Sequence, residues 1–268
     1  MKIIRISREG DVNYFRMLEN KDVIDLWKDP MLKYSDILNA LFYEDVIVCE
    51  SDADCKIYGT MLSHLKRKAG KYLQVQFIPS NGKHRISKIV DSVKKMGIHC
   101  LAVIDIDLLS DSQDVKRTFE VFGGKWEDIE HDLKIFSNSL NNREAVLDRK
   151  NLKRQIDQVL SDSNERYLSK AEVDKITELL HPLTKWKQLK KSGKSIVPAG
   201  DATAAFNRVI EKLIEVGIYI VEVGELENFI KEVGSHGPNW ASEVLDRFPD
   251  LDNRVYDDLK EFVCSWNL

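Results

Sequence analysis

Short apolar runs alternate with amphipathic stretches through the middle of the chain. VIVCE (46–50), YLQVQFI (72–78) and CLAVID (100–105) are short, rich in β-branched or aromatic residues, and read as buried strands. Between them, DADCKIYGTMLSHLKRKAG (52–70) places Ile57, Met61 and Leu65 on one helical face, with Gly70 ending the helix. ISKIVDSVKKMG (86–97) is a second amphipathic helix. Strands joined by helices of this length need right-handed crossovers, which bury a parallel sheet between two helical layers. The expected fold class is α/β: a doubly wound, Rossmann-like parallel sheet flanked by helices.

The flanks read differently. IIRIS (3–7) predicts a short strand, followed by an irregular piece and a helix entered through Pro30, whose fixed φ suits a first helical turn. After Ser110 the chain becomes helical and charge-rich. RKNLKRQIDQVLSDS (149–163) reads as a long exposed helix, and Ser169 with Glu172 forms a capping box that opens the next. The α/β texture returns with a helix over 201–217, a fourth strand IYIVEV (218–223), and a turn and helix over GELENFIKEVG (224–234). The expected organisation is an N-terminal junction segment (1–40), the first part of the α/β core (41–110), a helical insertion or subdomain (111–200), and the completed core with C-terminal helices (201–268).

Composition narrows the class. With 43% hydrophobic and 31% charged residues the chain is a folded globular protein rather than a disordered one. Its apolar runs are too short to span a bilayer and MKIIRISREG has no signal-peptide core, so no membrane partner and a cytoplasmic location are expected. Cys49, Cys55, Cys100 and Cys264 form no CxxC pair and read as free thiols. A net charge of −4 opposes whole-molecule attraction to nucleic acid. HLKRKAGK (64–71), GKHR (82–85) and KWKQLKKSGK (185–194) are nevertheless local basic clusters, suited either to a polyanion or to solvated helix faces. GKS at 193–195 is not a phosphate-binding loop, because Gln188 stands where that loop needs glycine.

Ligands of open parallel sheets bind beyond the carboxyl ends of the strands. Here the first core strand ends in Glu50, with Asp52 and Asp54 behind it; the third ends in Asp105 and Asp107; the fourth leads to Glu225 and Glu227. Crowded carboxylates repel unless a cation neutralises them, and an oxygen-only donor set favours Mg2+ or Mn2+ over zinc. Such a site suits phosphodiester chemistry. Asp52 reads as a helix N-cap rather than a ligand. His84, His99 and His236 lack metal-ligand spacing, and HGPNW (236–240) reads as a turn with Trp240 packed in the core.

Glu50 with Asp54 four positions on, Gly82 in the loop after the second core strand, and Asp105-Ile106-Asp107 after the third resemble a TOPRIM domain, the metal-binding module of topoisomerases, primases and several nucleases. IYIVEVGELENFIKEVGSHGPNW resembles the C-terminal half of OLD (overcoming lysogenization defect) family proteins, ATP-dependent nucleases found in bacterial defence against phage. The resemblance covers roughly residues 40 to 248. It implies a metal-dependent DNA endonuclease or nickase in which Glu50, Asp54, Asp105 and Asp107 hold one or two Mg2+ or Mn2+ ions. Glu227, with Glu225, would complete a second metal position, and Glu50, Asp105, Asp107 and Glu227 would form the catalytic set. Glu50 could serve instead as general base. Lys83 and Arg85 are the candidate DNA-phosphate contacts. Ser51 departs from the family, which has glycine after the first glutamate.

OLD proteins also carry an ABC-type ATPase ahead of this half, so the expected partners are DNA and an ATPase domain or subunit outside this sequence, with homo-oligomers possible. On this reading the chain is a fragment of a longer protein, and residues 1–40 are its junction. The alternative is a non-cleaving, DNA-binding or regulatory TOPRIM module that partners an ATPase. A topoisomerase would need a tyrosine nucleophile on a separate domain, and none is apparent; a receiver would want a single phosphorylated aspartate and a lysine after its last strand, and neither the place of Glu227 nor the helical insertion fits one.

Overall fold

The computed structural model describes residues 3–21, 24, 28, 36–141, 149–161, 167–180, 185–234 and 239–268. The start of the helix expected through Pro30 and the HGP part of HGPNW lie outside them, and Asp36–Phe42 is a 3-10 helix. The first element is an antiparallel hairpin of β1 (Ile3–Glu9) and β2 (Val12–Leu18), reversed at Gly10–Asp11 with Gly10 at φ 58°. The second strand escaped sequence reading because VNYFRML puts apolar side chains on both faces. Ile4, Ile6, Phe15 and Met17 share the outward face and stay exposed. From the other face Arg5 donates to the carbonyls of Gly97 (2.9 Å) and Tyr43 (3.0 Å), so polar anchors join the hairpin to the body.

Four strands form the central sheet: β3 (Asp45–Cys49), β4 (Val75–Pro79), β5 (His99–Asp105) and β6 (Ile218–Val221), all parallel, in the order β4-β3-β5-β6. Their side chains alternate between two cores. Val46, Val48, Ala102, Ile104, Ile218 and Ile220 face one layer; Ile47, Cys49, Leu101, Val103, Tyr219 and Val221 face the other. The first layer holds α2 (Ile86–Lys95), α3 (Ser112–Phe122), α4 (Glu130–Asn141), α7 (Lys185–Ser192) and α8 (Asp201–Glu215), through residues such as Val90, Phe119, Phe136, Leu189 and Phe206. The second holds α1 (Asp52–Lys68), α9 (Trp240–Arg247) and α10 (Asp257–Cys264), through Tyr58, Met61, Trp240 and Leu259. α5 (Arg149–Ser161) and α6 (Lys170–Leu180) pack on each other, and the Ser169–Glu172 capping box opens α6 as expected.

The chain leaves β3 for β4 on one side and returns past β3 to β5 on the other. The reversal opens a crevice beyond the carboxyl ends of β3 and β5. Two expected elements differ. The strand over 72–78 begins only at Val75, and 224–234 forms a single 3-10 turn, Leu226–Phe229, in place of a helix. Asn228 explains the second, since its amide donates to the carbonyls of Val223 (2.9 Å) and Lys190 (3.2 Å), while Ile230 and Val233 turn into the core. As expected, GKS is no phosphate loop. Gly193–Ile196 is a 3-10 turn ending α7, and the Lys194 amide and ammonium both bind Glu222 (2.8 Å each).

Gly224 sits at φ 116°, and a Cβ there would collide with the Lys190 carbonyl oxygen. Gly224→Ala should therefore cost about 2–4 kcal/mol of stability, from backbone strain and displacement of α7, measurable by urea unfolding. At the opposite end of the sheet His99 Nδ1 lies 2.7 Å from Asp45, and this hydrogen bond raises the imidazole pKa despite partial burial. A raised folded pKa makes the contribution complete below the unfolded value of 6.5 and lost as pH rises through the folded one. His99→Gln should lower stability by about 0.5 kcal/mol at pH 6, the group being half exposed, and by almost nothing at pH 9.

Candidate metal centre

Each acidic strand end is positioned by its local fold. β3 delivers Glu50, whose Oε1 accepts from the Asp105 amide at the end of β5 (3.1 Å). Asp105 ends β5 in extended conformation, and Asp107 follows in the 3-10 turn Ile106–Ser110. Carboxylate oxygens of Glu50, Asp105 and Asp107 lie within 4.8 Å of one another. The Ile106 amide donates to the Gly224 carbonyl (3.2 Å), so the turn after β6 braces this cluster.

Asp54 and Glu227 flank the trio, and Asp54 feels the charge of Glu227. Asp54 has a structural duty as well. Ser51, extended at φ −133° and ψ 168°, caps α1; its amide (2.8 Å) and hydroxyl (3.0 Å) donate to Asp54 Oδ2, and the Asp54 amide returns a bond to the Ser51 hydroxyl (3.2 Å). Ser51 is thus the N-cap, not Asp52, which occupies the first helical position. Glu225 precedes the 3-10 turn in extended conformation and is not a member of the trio.

Burial and crowding raise Glu50, Asp105 and Asp54. Burial, then the charge of Asp107, pushes Glu50 up to about 7, while Lys190 opposes the shift. Burial and Glu50 hold Asp105 well above the usual carboxylate range. Burial also raises Asp54, against its hydrogen bonds from Ser51. Two ammonium groups answer this charge. Lys190, from α7, lies 3.0 Å from Asp105 Oδ2 and 4.0 Å from Asp107 Oδ2; burial disfavours its charge, but Asp105, Asp107 and Glu50 outweigh that and raise its pKa. Lys83 donates to the Asp107 carbonyl (3.0 Å) and carboxylate (3.3 Å). Arg85 donates to the Asn81 carbonyl within its own loop (3.0 Å), and His84 pairs with the buried Asp114.

Lys190 was missed from sequence. Its only signal was the basic cluster KWKQLKKSGK, in which several lysines look alike. The donor set itself fits a hard divalent cation. It is all oxygen and convergent, and Asp107 Oδ1 is buried with no hydrogen-bond partner.

Residues 41–107 match the family described as overcoming lysogenization defect protein-like, TOPRIM domain. This segment is an OLD-like TOPRIM domain. It begins just before β3 and ends at Asp107, so the match holds the whole trio, and the parallel sheet flanked by helices is the fold the family implies. No curated protein and no solved structure matches the chain. None of the described helices is long and apolar enough to cross a membrane.

Because Lys190 supplies charge that the TOPRIM trio lacks, Lys190→Ala should destabilise the protein in EDTA by about 1–2 kcal/mol, discounted for an ammonium one-third exposed. Millimolar Mg2+ should restore most of that loss in thermal melts. A deficit untouched by Mg2+ would show that Lys190 acts through packing alone.

Proposed function

We propose that the protein is a metal-dependent DNA endonuclease or nickase of the OLD type, acting in the cytoplasm in antiviral defence. The observation that carries this reading is the convergence of Glu50, Asp105 and Asp107 at the switch point of the sheet, where Asp107 Oδ1 is buried without a hydrogen-bond partner. Hydrolysis joins a water oxygen to phosphorus and breaks a P–O bond to a sugar oxygen, leaving a phosphomonoester and an alcohol. One or two Mg2+ or Mn2+ ions would activate that water and neutralise the attacking and leaving oxygens.

In this reading Glu50, Asp105 and Asp107 are ligands, Asp54 and Glu227 extend the set toward a second ion, and Glu225 stands at its margin. Glu50, which titrates near neutrality, also suits the role of proton acceptor. Lys190 and Lys83 are placed to receive phosphate oxygens once a cation takes over the carboxylates. Arg85, half-buried on the same loop, extends that basic edge along the DNA. An ATPase domain or subunit and a second copy of the chain are the proposed partners.

One observation favours the alternative of a non-cleaving, DNA-binding or regulatory module: Lys190 and Lys83 form ion pairs with Asp105 and Asp107 and offset part of the charge of the trio. Supercoiled plasmid separates the two. With Mg2+ or Mn2+ the protein should produce nicked and linear forms, EDTA should stop it, and Asp105→Ala should lower the rate at least ~100-fold, as loss of a ligand predicts. Plasmid binding without cleavage in either metal would support the regulatory module.

A further inference from the structure

Three tyrosines are fully buried near the centre of the second core: Tyr58, Tyr219 and Tyr256. Two have partners. The Tyr219 hydroxyl accepts from the Asn267 amide (2.9 Å), and the Tyr256 hydroxyl donates to the Phe248 carbonyl (2.8 Å). The Tyr58 hydroxyl is buried with no hydrogen-bond partner, although its residue is only 1% exposed. An unsatisfied buried hydroxyl costs about 1–3 kcal/mol, so one deep in a well-packed layer calls for an explanation.

Its position supplies one. Tyr58 follows Asp54 by one helical turn on α1, and helical side chains lean toward the N-terminus, so its ring reaches back along the face that carries Asp54. Trp266 and Phe262 hold the ring edge-on and tilted, with centroids at 5.5 and 6.0 Å. Strand alternation puts Asp105 on the same sheet face as Leu101 and Val103, the face that α1 covers. The carboxylates whose charges bear on the phenol are Asp54 first, then Asp105 and Glu227. The phenol thus stands on the face of α1 that carries Asp54, within electrostatic reach of the acidic cluster.

We propose that Tyr58 is a positioning residue whose hydroxyl donates to the Asp54–Asp105 carboxylate pair and fixes its orientation when a divalent cation is bound. The inference rests on the cation reading of the site. Lys190 pairs with Asp105 Oδ2 and the Ser51 cap bonds Asp54 Oδ2, and neither carboxylate bonds the phenol. With both carboxylates ionised and turned to a cation, their inner lone pairs need a donor, and an outer donor of this kind typically contributes 10–100-fold in metal affinity.

Tyr58→Phe removes one oxygen and leaves the aromatic packing in place. Melts in EDTA and in Mn2+, with calorimetric titration of Mn2+, test the proposal independently of catalysis. The variant should melt in EDTA at the wild-type temperature or higher, because it deletes an unpaired polar group, yet bind Mn2+ about ten-fold more weakly. The loss should shrink in an Asp54→Asn background, as coupling requires. Equal destabilisation with and without Mn2+ would mark Tyr58 as a packing residue and overturn the proposal. Unchanged Mn2+ affinity in Tyr58→Phe would overturn it while leaving the cation site intact. A wild-type protein that binds no Mn2+ would remove the site and this inference with it.

Discussion

Like charges held close together in a partly buried crevice dominate the energetics at the carboxyl end of this sheet. Glu50, Asp105 and Asp107 converge within a few ångströms, and burial strips them of the water that would screen their repulsion. A parallel sheet cannot relieve the conflict by moving its strand ends, because the register of β3 and β5 is fixed by hydrogen bonds and by two apolar layers. Relief has to come from cations. Among the described residues two lysines answer the repulsion, Lys83 from the loop after β4 and Lys190 from α7, and the oxygen-only donor set suits a cation from solution.

That requirement accounts for much of the surrounding architecture. α7 must approach the sheet closely enough for Lys190 to reach Asp105, and Gly224 makes the approach possible by presenting no side chain to the Lys190 carbonyl. Asn228 ties the same carbonyl to the turn after β6, and Lys194 bonds Glu222 on the far side of Gly193. A stretch that would otherwise continue as a helix from Gly224 is consumed in holding a lysine in place.

How much of this was legible in the sequence depends on the range of the interaction. The strands and helices of 45–105 were readable because apolar period and β-branching act locally, and the resemblance to a TOPRIM domain rested largely on that stretch and Asp107, its OLD part on IYIVEVGELENFIKEVGSHGPNW. The members of the trio were among six acidic candidates for the same reason, since Glu50 and Asp105 each end an apolar run and Asp107 stands two positions on; that these three converge needed the fold. Lys190 was not readable, since only the folded chain singles it out from its neighbours Lys187 and Lys191. The N-cap was misassigned by one residue, because Ser51 and Asp52 are both capable caps and only the reciprocal bonds with Asp54 decide between them. The second strand of the hairpin lacked any one-sided pattern, and the turn at 226–229 depends on an asparagine bonding across to another element.

The distance along the chain between Lys190 and its partners has a consequence for how the protein is made. Glu50, Asp105 and Asp107 emerge from synthesis well before α7, and β6, which closes that side of the sheet, later still. Contacts between segments so far apart form late, because the loop that joins them must be ordered first. Until then the acidic crevice lacks its ammonium from α7 and the sheet lacks an edge strand. Neutralisation in this protein thus has two stages: Lys83 is at hand as soon as Asp107 is, whereas the share of Lys190 waits until α7 has been made.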